Sequence, residues 1–208
     1  MYFRTMDQKS ALLSSARELF LSYGVKSVSM DDIARMLGIS KKTVYNFVDN
    51  KKDLVLTVFK HFIEEEHAIV QDIRKNSENA IHEMMSIARY VLENVRKIKP
   101  SLSYDLKKYH PATWRLIDKD HFNHIQDVIK ANIQRGIDEG FYRDDINVDI
   151  YSKLYVGLAR LIFNPDSFDM REYRLTDLYQ NVMDYHIHGI MNDKGRKTFN
   201  KYLKNIEA

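Results

Sequence analysis

The chain has no cysteine, only three prolines and only seven glycines in 208 residues. Without cysteine there is no disulfide framework and no thiolate zinc site. So few turn-forming residues argue against a sandwich or barrel, which needs frequent turns, and for long helices. No apolar run approaches the roughly 18 residues of a membrane span, so no membrane is expected as a partner. The opening MYFRTMDQKS lacks the apolar core of a signal peptide, and a cytoplasmic location is the default expectation. Nor is there a nucleophile elbow, a phosphate loop or a catalytic constellation, so no enzyme activity and no cofactor are expected.

What remains is ordinary in bulk and uneven in distribution. Apolar residues make up 44% and charged residues 29% of a chain long enough to bury a sizeable core. The net charge is only +3. Residues 1–53 hold nine Lys and Arg against six Asp and Glu, whereas residues 54–208 hold 23 of each. The whole excess therefore sits in the first quarter of the chain, as the electrostatic footprint of a nucleic-acid contact would.

That quarter contains the most informative stretch, SMDDIARMLGISKKTVYNFVDNKKDL at residues 29–54. Before it, Leu12, Ala16, Leu19, Phe20 and Tyr23 have the spacing of an amphipathic helix, closed by Gly24. Ser29 is the expected N-cap of a short second helix, with Asp32 in capping-box position. Gly38 ends it, Ser40 caps the next helix, and Asn50 caps a fourth with Asp53 three residues on. Ile33, Leu37, Ile39, Val44 and Phe47 suit a shared core of two crossed helices, with Ala34 small at the close approach. This is the pattern of a helix-turn-helix. Its second helix carries Lys41, Lys42, Thr43, Tyr45 and Asn46 behind Ser40. Lysines and a helix N-terminus neutralise phosphate oxygens, and Thr43, Tyr45 or Asn46 are placed to read base edges. Two lysines alone would favour a solvated helix face; the crossed-helix core and hydroxyl caps reverse that and favour DNA contact.

Beyond residue 54 the pattern is helical almost throughout. Leu54 to Ile63 continue the fourth helix to about residue 74, and Ile81, Met84, Met85, Ala88, Val91, Leu92 and Val95 form a clean stripe. Pro100 ends that stripe, and Pro111 reads as the first-turn proline of one long helix reaching Gly136–Gly140. Helices at about 147–163 and 171–191 follow, parted by Asn164-Pro165-Asp166-Ser167, and a short helix starts near residue 194. The expected fold is all-α: a helix-turn-helix head at 1–53 and a larger helical regulatory and dimerisation domain at 54–208.

Residues 8–55 resemble the DNA-binding domain of the TetR family of transcriptional regulators. The likeness lies in Tyr23-Gly24, Ser29-Met30-Asp31-Asp32-Ile33-Ala34, Leu37-Gly38-Ile39-Ser40, Thr43-Val44-Tyr45 and Asn50-Lys51-Lys52-Asp53-Leu54. It implies that Lys41, Lys42, Thr43 and Tyr45 face double-stranded operator DNA, with Ser29 and Lys51 on flanking phosphates. One departure stands at Phe47-Val48, where the family often has a histidine followed by an aromatic residue. The resemblance further implies that the last two long helices pair with their twofold mates. Leu154, Tyr155, Leu158, Leu161, Leu175, Leu178 and Val182 are the dimer candidates. Physics points the same way, because one short reading helix makes few contacts, while two copies about 34 Å apart read successive turns of a near-palindrome.

The middle helices hold large adaptable side chains, Met84, Met85, Tyr90, Tyr104, Tyr109, Trp114 and Phe122, as candidates to line a small-molecule pocket. Each also suits plain core packing. By resemblance the protein is a repressor released from its operator when an effector, of unspecified identity, favours a state that spaces the reading heads wrongly. The alternative is a DNA-bound scaffold of the same fold that senses no small molecule and recruits a protein. His121 and His124 stand one helical turn apart without a clearly placed third ligand, so no metal is expected.

Overall fold

The computed structural model describes residues 2–164 and 166–207, and side chains from residue 8 to 204 within them. Pro165 of the expected 164–167 turn lies outside the described residues. Eleven α-helices and one π segment follow in order: α1 Tyr2–Tyr23, α2 Met30–Leu37, α3 Lys41–Tyr45, α4 Lys51–Asn76, α5 Ala80–Val95, α6 Leu102–Tyr109, α7 Pro111–Arg115, the π segment Leu116–His121, α8 Phe122–Asp138, α9 Val148–Phe163, α10 Leu175–Ile190 and α11 Asp193–Glu207. The described residues contain no strand, only an isolated antiparallel bridge between Tyr142 and Met191. No helix among them is long and apolar enough to cross a membrane.

The helix-rich expectation holds, with three differences. Residues 102–109, expected as a connecting segment, are a helix of their own. The single helix expected after Pro111 is divided by the π segment, whose turn is wider than that of an α-helix. The last helix runs to Glu207 and is not short.

The chain divides into two compact units, residues 1–67 with 97–118 and residues 68–96 with 119–208. This division follows packing, whereas 1–53 and 54–208 follow the motif, so α6 and α7 join the unit that carries the helix-turn-helix. In that first unit, Leu12, Ala16 and Phe20 of α1, Ile33 of α2, Val44 of α3, and Leu54 and Val55 of α4 are fully buried together. Leu102 and Leu106 of α6 close the same core, with Trp114 and Ile117 packed on it. The interior needs no further explanation than apolar burial, at roughly 25 cal/mol per Å² removed from water.

The second unit is held by apolar packing of α8, α9, α10 and α5, and by a buried polar cluster. The Arg135 guanidinium on α8 donates to Glu83 Oε2 at 2.8 Å and to Glu139 Oε1 at 2.7 Å. It also donates to the Ser77 carbonyl at 3.0 Å and the Arg74 carbonyl at 3.5 Å, closing the end of α4. Glu139 Oε2 in turn accepts from Ala80 N at 2.8 Å, at the start of α5. The free ends of two helices are thus satisfied by one ion cluster. Beside it, Tyr142 Oη donates to Asn132 Oδ1 at 3.0 Å, and burial raises the Tyr142 phenol pKa well above the ordinary value. Gly136 is required there: a Cβ would come within 2.0 Å of the Tyr142 ring.

Candidate nucleic-acid interface

The head is built by local capping that the sequence dictates. Ser29 caps α2: its hydroxyl accepts from Asp32 N at 3.1 Å, and Asp32 Oδ2 accepts from Ser29 N at 2.8 Å and Ser29 Oγ at 2.7 Å. These hydrogen bonds from Ser29, more than the nearby Arg35 and Lys51, hold the Asp32 carboxyl below the ordinary range. Gly38 takes a left-handed conformation, φ 64. Its N–H bonds the Arg35 carbonyl at 3.2 Å and Ile39 N–H bonds the Ala34 carbonyl at 3.0 Å. That is a Schellman turn, with Ile39 folding back as its apolar contact. Ser40 caps α3 through Thr43 N at 3.1 Å, and Asn50 caps α4 through Asp53 N at 3.0 Å.

These turns sort the candidate side chains by face. Val44 is fully buried, while Lys41, Lys42, Tyr45 and Asn46 are exposed and Thr43 is half-buried. Asn46 is the C-cap residue of α3 and faces solvent; Phe47 packs partly buried on the core, and Val48 is buried outright at 4%. The departure at Phe47-Val48 therefore resolves as two inward apolar residues, and Val48 is a core member that helical periodicity missed because α3 has already ended.

The candidate contact groups differ in how free they are. Lys41 Nζ is 2.8 Å from Asp31 Oδ2 on α2, and that hydrogen bond raises its pKa. The Thr43 and Ser40 hydroxyls lie 2.8 Å apart. Lys51 is half-buried at the first turn of α4; burial lowers its pKa, with Asp105 and Asp32 pulling the other way. Lys42 and Lys52 are exposed and have no carboxylate partner among the described residues.

Sequence reading did not assign any part of this unit to residues 97–110. Lys99 N donates to the Leu21 carbonyl at 2.7 Å and Lys99 Nζ to the Tyr23 carbonyl at 3.0 Å, closing the end of α1. Buried Asp105 on α6 accepts from Lys26 N at 3.2 Å. Gly24, φ +82, permits this approach, since a Cβ there would sit 3.1 Å from Asp105 Oδ2. Next to it, His110 is buried with Nδ1 unpartnered, and burial with the nearby Lys51 and Lys52 lowers its pKa. No spacing rule connects residues 99 and 105 to residues 21–26.

The other candidates fall as follows. On α9 and α10, Leu154 is 57% and Leu161 43% exposed, Leu158, Leu175, Leu178 and Val182 are half-buried, and Tyr155 is buried against His186 with ring centroids 4.8 Å apart. Tyr155 thus packs α9 on α10 within the subunit. Two apolar residues not singled out from sequence are exposed beside them, Ile150 at 53% and Tyr185 at 75%. Both continue the stripes, Ile150 four residues before Leu154 and Tyr185 three after Val182. Among the pocket candidates, Met84 and Phe122 are buried and Met85 and Tyr90 half-buried in the second unit. Tyr104, Tyr109 and Trp114 belong to the first, where Tyr104 turns outward to accept from Lys108 Nζ at 2.8 Å and Trp114 packs on the head core.

A short helix presented by a capped tight turn, at the positively charged end of an otherwise all-helical chain, defines the class: a helix-turn-helix DNA-binding regulator. Residues 12–58 match the family described as bacterial regulatory proteins, tetR family. An uncharacterized HTH-type transcriptional regulator of Bacillus subtilis, YvaF, is 25% identical over 81% of this chain and 88% of its own length. The HTH-type transcriptional repressor KstR2 of Mycobacterium tuberculosis is 23% identical over 69% and 74%. In fold, a TetR-family regulator from Agrobacterium tumefaciens superposes with TM-score 0.71 at 18% identity, covering 90% of this chain and 99% of that one. So does a putative transcriptional regulator of Saccharomonospora viridis, solved in complex with choline, with the same score, identity and coverage. Residues 12–58 thus match the DNA-binding head of the tetR family, and the chain as a whole is similar in sequence and fold to TetR-family transcriptional regulators.

Proposed function

We propose that the protein is a homodimeric repressor whose α3 helices enter successive major grooves of a near-palindromic operator, and that a small molecule bound in the helical region releases it. Lys41, Lys42 and Lys51 with Ser29 and Ser40 serve phosphates; Thr43, Tyr45 and Asn46 serve base edges. The observation that carries the reading is the sorting of α3. Its one fully buried residue, Val44, anchors a helix whose remaining side chains include three exposed polar groups and a half-buried threonine. Dimerisation is supported by Ile150, Leu154, Leu161 and Tyr185, apolar side chains that two neighbouring helices leave exposed. Release by a ligand is supported by relatives named as repressors and by the choline held by one structural neighbour. The route would run through α6, because Asp105 and Lys99 tie residues 97–110 to the end of α1.

The test uses a duplex selected by the full-length protein from a randomised library. Thr43→Ala and Tyr45→Ala each weaken binding at least about tenfold, the cost of one lost base contact, with helicity unchanged by circular dichroism. Unaltered affinity in both would remove α3 as the reading helix. A screen of cationic and apolar small molecules then asks which one both raises the melting temperature and frees the duplex.

A further inference from the structure

The two lysines that open α3 are not equivalent. Lys42 is exposed and has no carboxylate partner among the described residues, whereas Lys41 is held by Asp31 across the helix-turn-helix at 2.8 Å, with both groups about half exposed. The pairing has a local cause. Lys41 is the first residue of α3, where the helix dipole disfavours a cation, and Asp31 sits in the first turn of α2, where it favours an anion. The turn at Gly38 brings these two ends together. The same α3 end is where the DNA-contact reading places an operator phosphate.

We propose that Asp31 acts as an intramolecular phosphate surrogate, competing with the DNA backbone for Lys41 and thereby setting the ceiling on DNA affinity. The proposal rests on the reading of α3 as the DNA-contacting helix. On binding, Lys41 exchanges one anion for another, so it contributes little net attraction. The freed Asp31 carboxylate is then left beside a phosphate chain of like charge. Both effects act on the backbone interaction, which all sequences share, and not on the base contacts of Thr43, Tyr45 and Asn46. Asp31 therefore weakens binding to bulk DNA as much as to the operator. It keeps the regulator from being held on non-cognate sites while base readout stays intact. A purely structural role for the pair, pinning α3 to α2, makes the opposite prediction, because loosening α3 weakens binding.

The experiment measures full-length wild type, Asp31→Asn, Lys41→Gln, the double variant and Lys42→Gln by fluorescence anisotropy. The probes are the library-selected duplex and a scrambled duplex of equal length, over a salt series. Asp31→Asn binds both duplexes about 2- to 30-fold more tightly, the range of one exposed ion pair taken twice for a dimer. Its salt dependence steepens by up to about 0.9 in log–log slope per head, because Lys41 now neutralises a phosphate outright. The gain disappears in Asp31→Asn/Lys41→Gln. Asp31→Ser, which keeps a short polar side chain in the first turn of α2, serves as the second removal of the carboxylate. Unchanged or weaker binding by Asp31→Asn and Asp31→Ser overturns the proposal, as does a gain that survives in the double variant. If instead Lys42→Gln and Tyr45→Ala also leave binding untouched, it is the α3 reading itself that falls.

Discussion

Replacing Arg135 with leucine removes the guanidinium that serves four partners at once. Glu83 is the decisive one, because its side chain has no exposure to solvent and its other oxygen, Oε1, has no hydrogen-bond partner. Arg135→Leu leaves that carboxylate buried and uncompensated, for which about 3–5 kcal/mol is typical. Since Arg135 itself is 25% exposed, water can reach part of the site and the lower half of that range applies. The carbonyls of Arg74 and Ser77 lose their donor as well, and the end of α4 frays. At roughly 2–4 °C per kcal/mol for a chain of this size, the melting temperature falls by about 6–16 °C. Glu83→Leu alone should be milder, because Arg135 keeps Glu139 and the backbone carbonyls. The double variant Glu83→Leu/Arg135→Leu should recover most of the loss, since a buried ion pair exchanged for apolar groups is often neutral. Thermal unfolding followed by circular dichroism at one fixed protein concentration closes this cycle. Strict additivity, with the double variant as unstable as the two single losses combined, would refute the argument that the stranded Glu83 charge is the cost.

Other tests bear on assembly and on pH. Leu154→Glu places a charge in the centre of the exposed apolar face of α9 and should convert a micromolar dimer to a monomer in sedimentation, lowering affinity for a palindromic duplex. A dimer unchanged by both Leu154→Glu and Tyr185→Glu would place the twofold contact elsewhere. Burial lowers the His186 pKa from the ordinary 6.5 to about 4. The unfolded chain therefore binds more protons between these values, and stability rises with pH across that window and is lost as pH falls through it, by about 3 kcal/mol in all. His186→Phe should flatten the stability profile between pH 4 and 6.5; denaturant titrations giving the same slope as wild type would remove His186 as the cause.

How far the sequence reached can be judged residue by residue. The caps at Ser29, Ser40 and Asn50 and the turn at Gly38 were legible because each depends on atoms within three to five residues, so local chemistry specifies them. Which side chains of α3 are exposed and which is buried followed from the same locality. Asp105 and Lys99 were not legible, because their partners at residues 21–26 lie some eighty positions away and no periodicity links them. The Arg135 cluster escaped for the same reason: Glu83 and Arg135 look like solvated charges on amphipathic helices until α5 and α8 are packed together. The π segment was hidden because residues 116–121 keep a helical composition while their backbone widens.

By itself the sequence determined an all-helical chain, a capped helix-turn-helix and a local excess of positive charge, all properties of short segments and their composition. Tertiary structure decided which of those charges are free. Lys41 is engaged by Asp31 and Lys42 is not, Tyr155 faces its own subunit while Leu154 faces out, and α6 belongs with the helix-turn-helix unit. Such distinctions depend on which surfaces meet across distant segments, and a pattern with a period of 3.6 residues records only that a face is apolar, not what covers it.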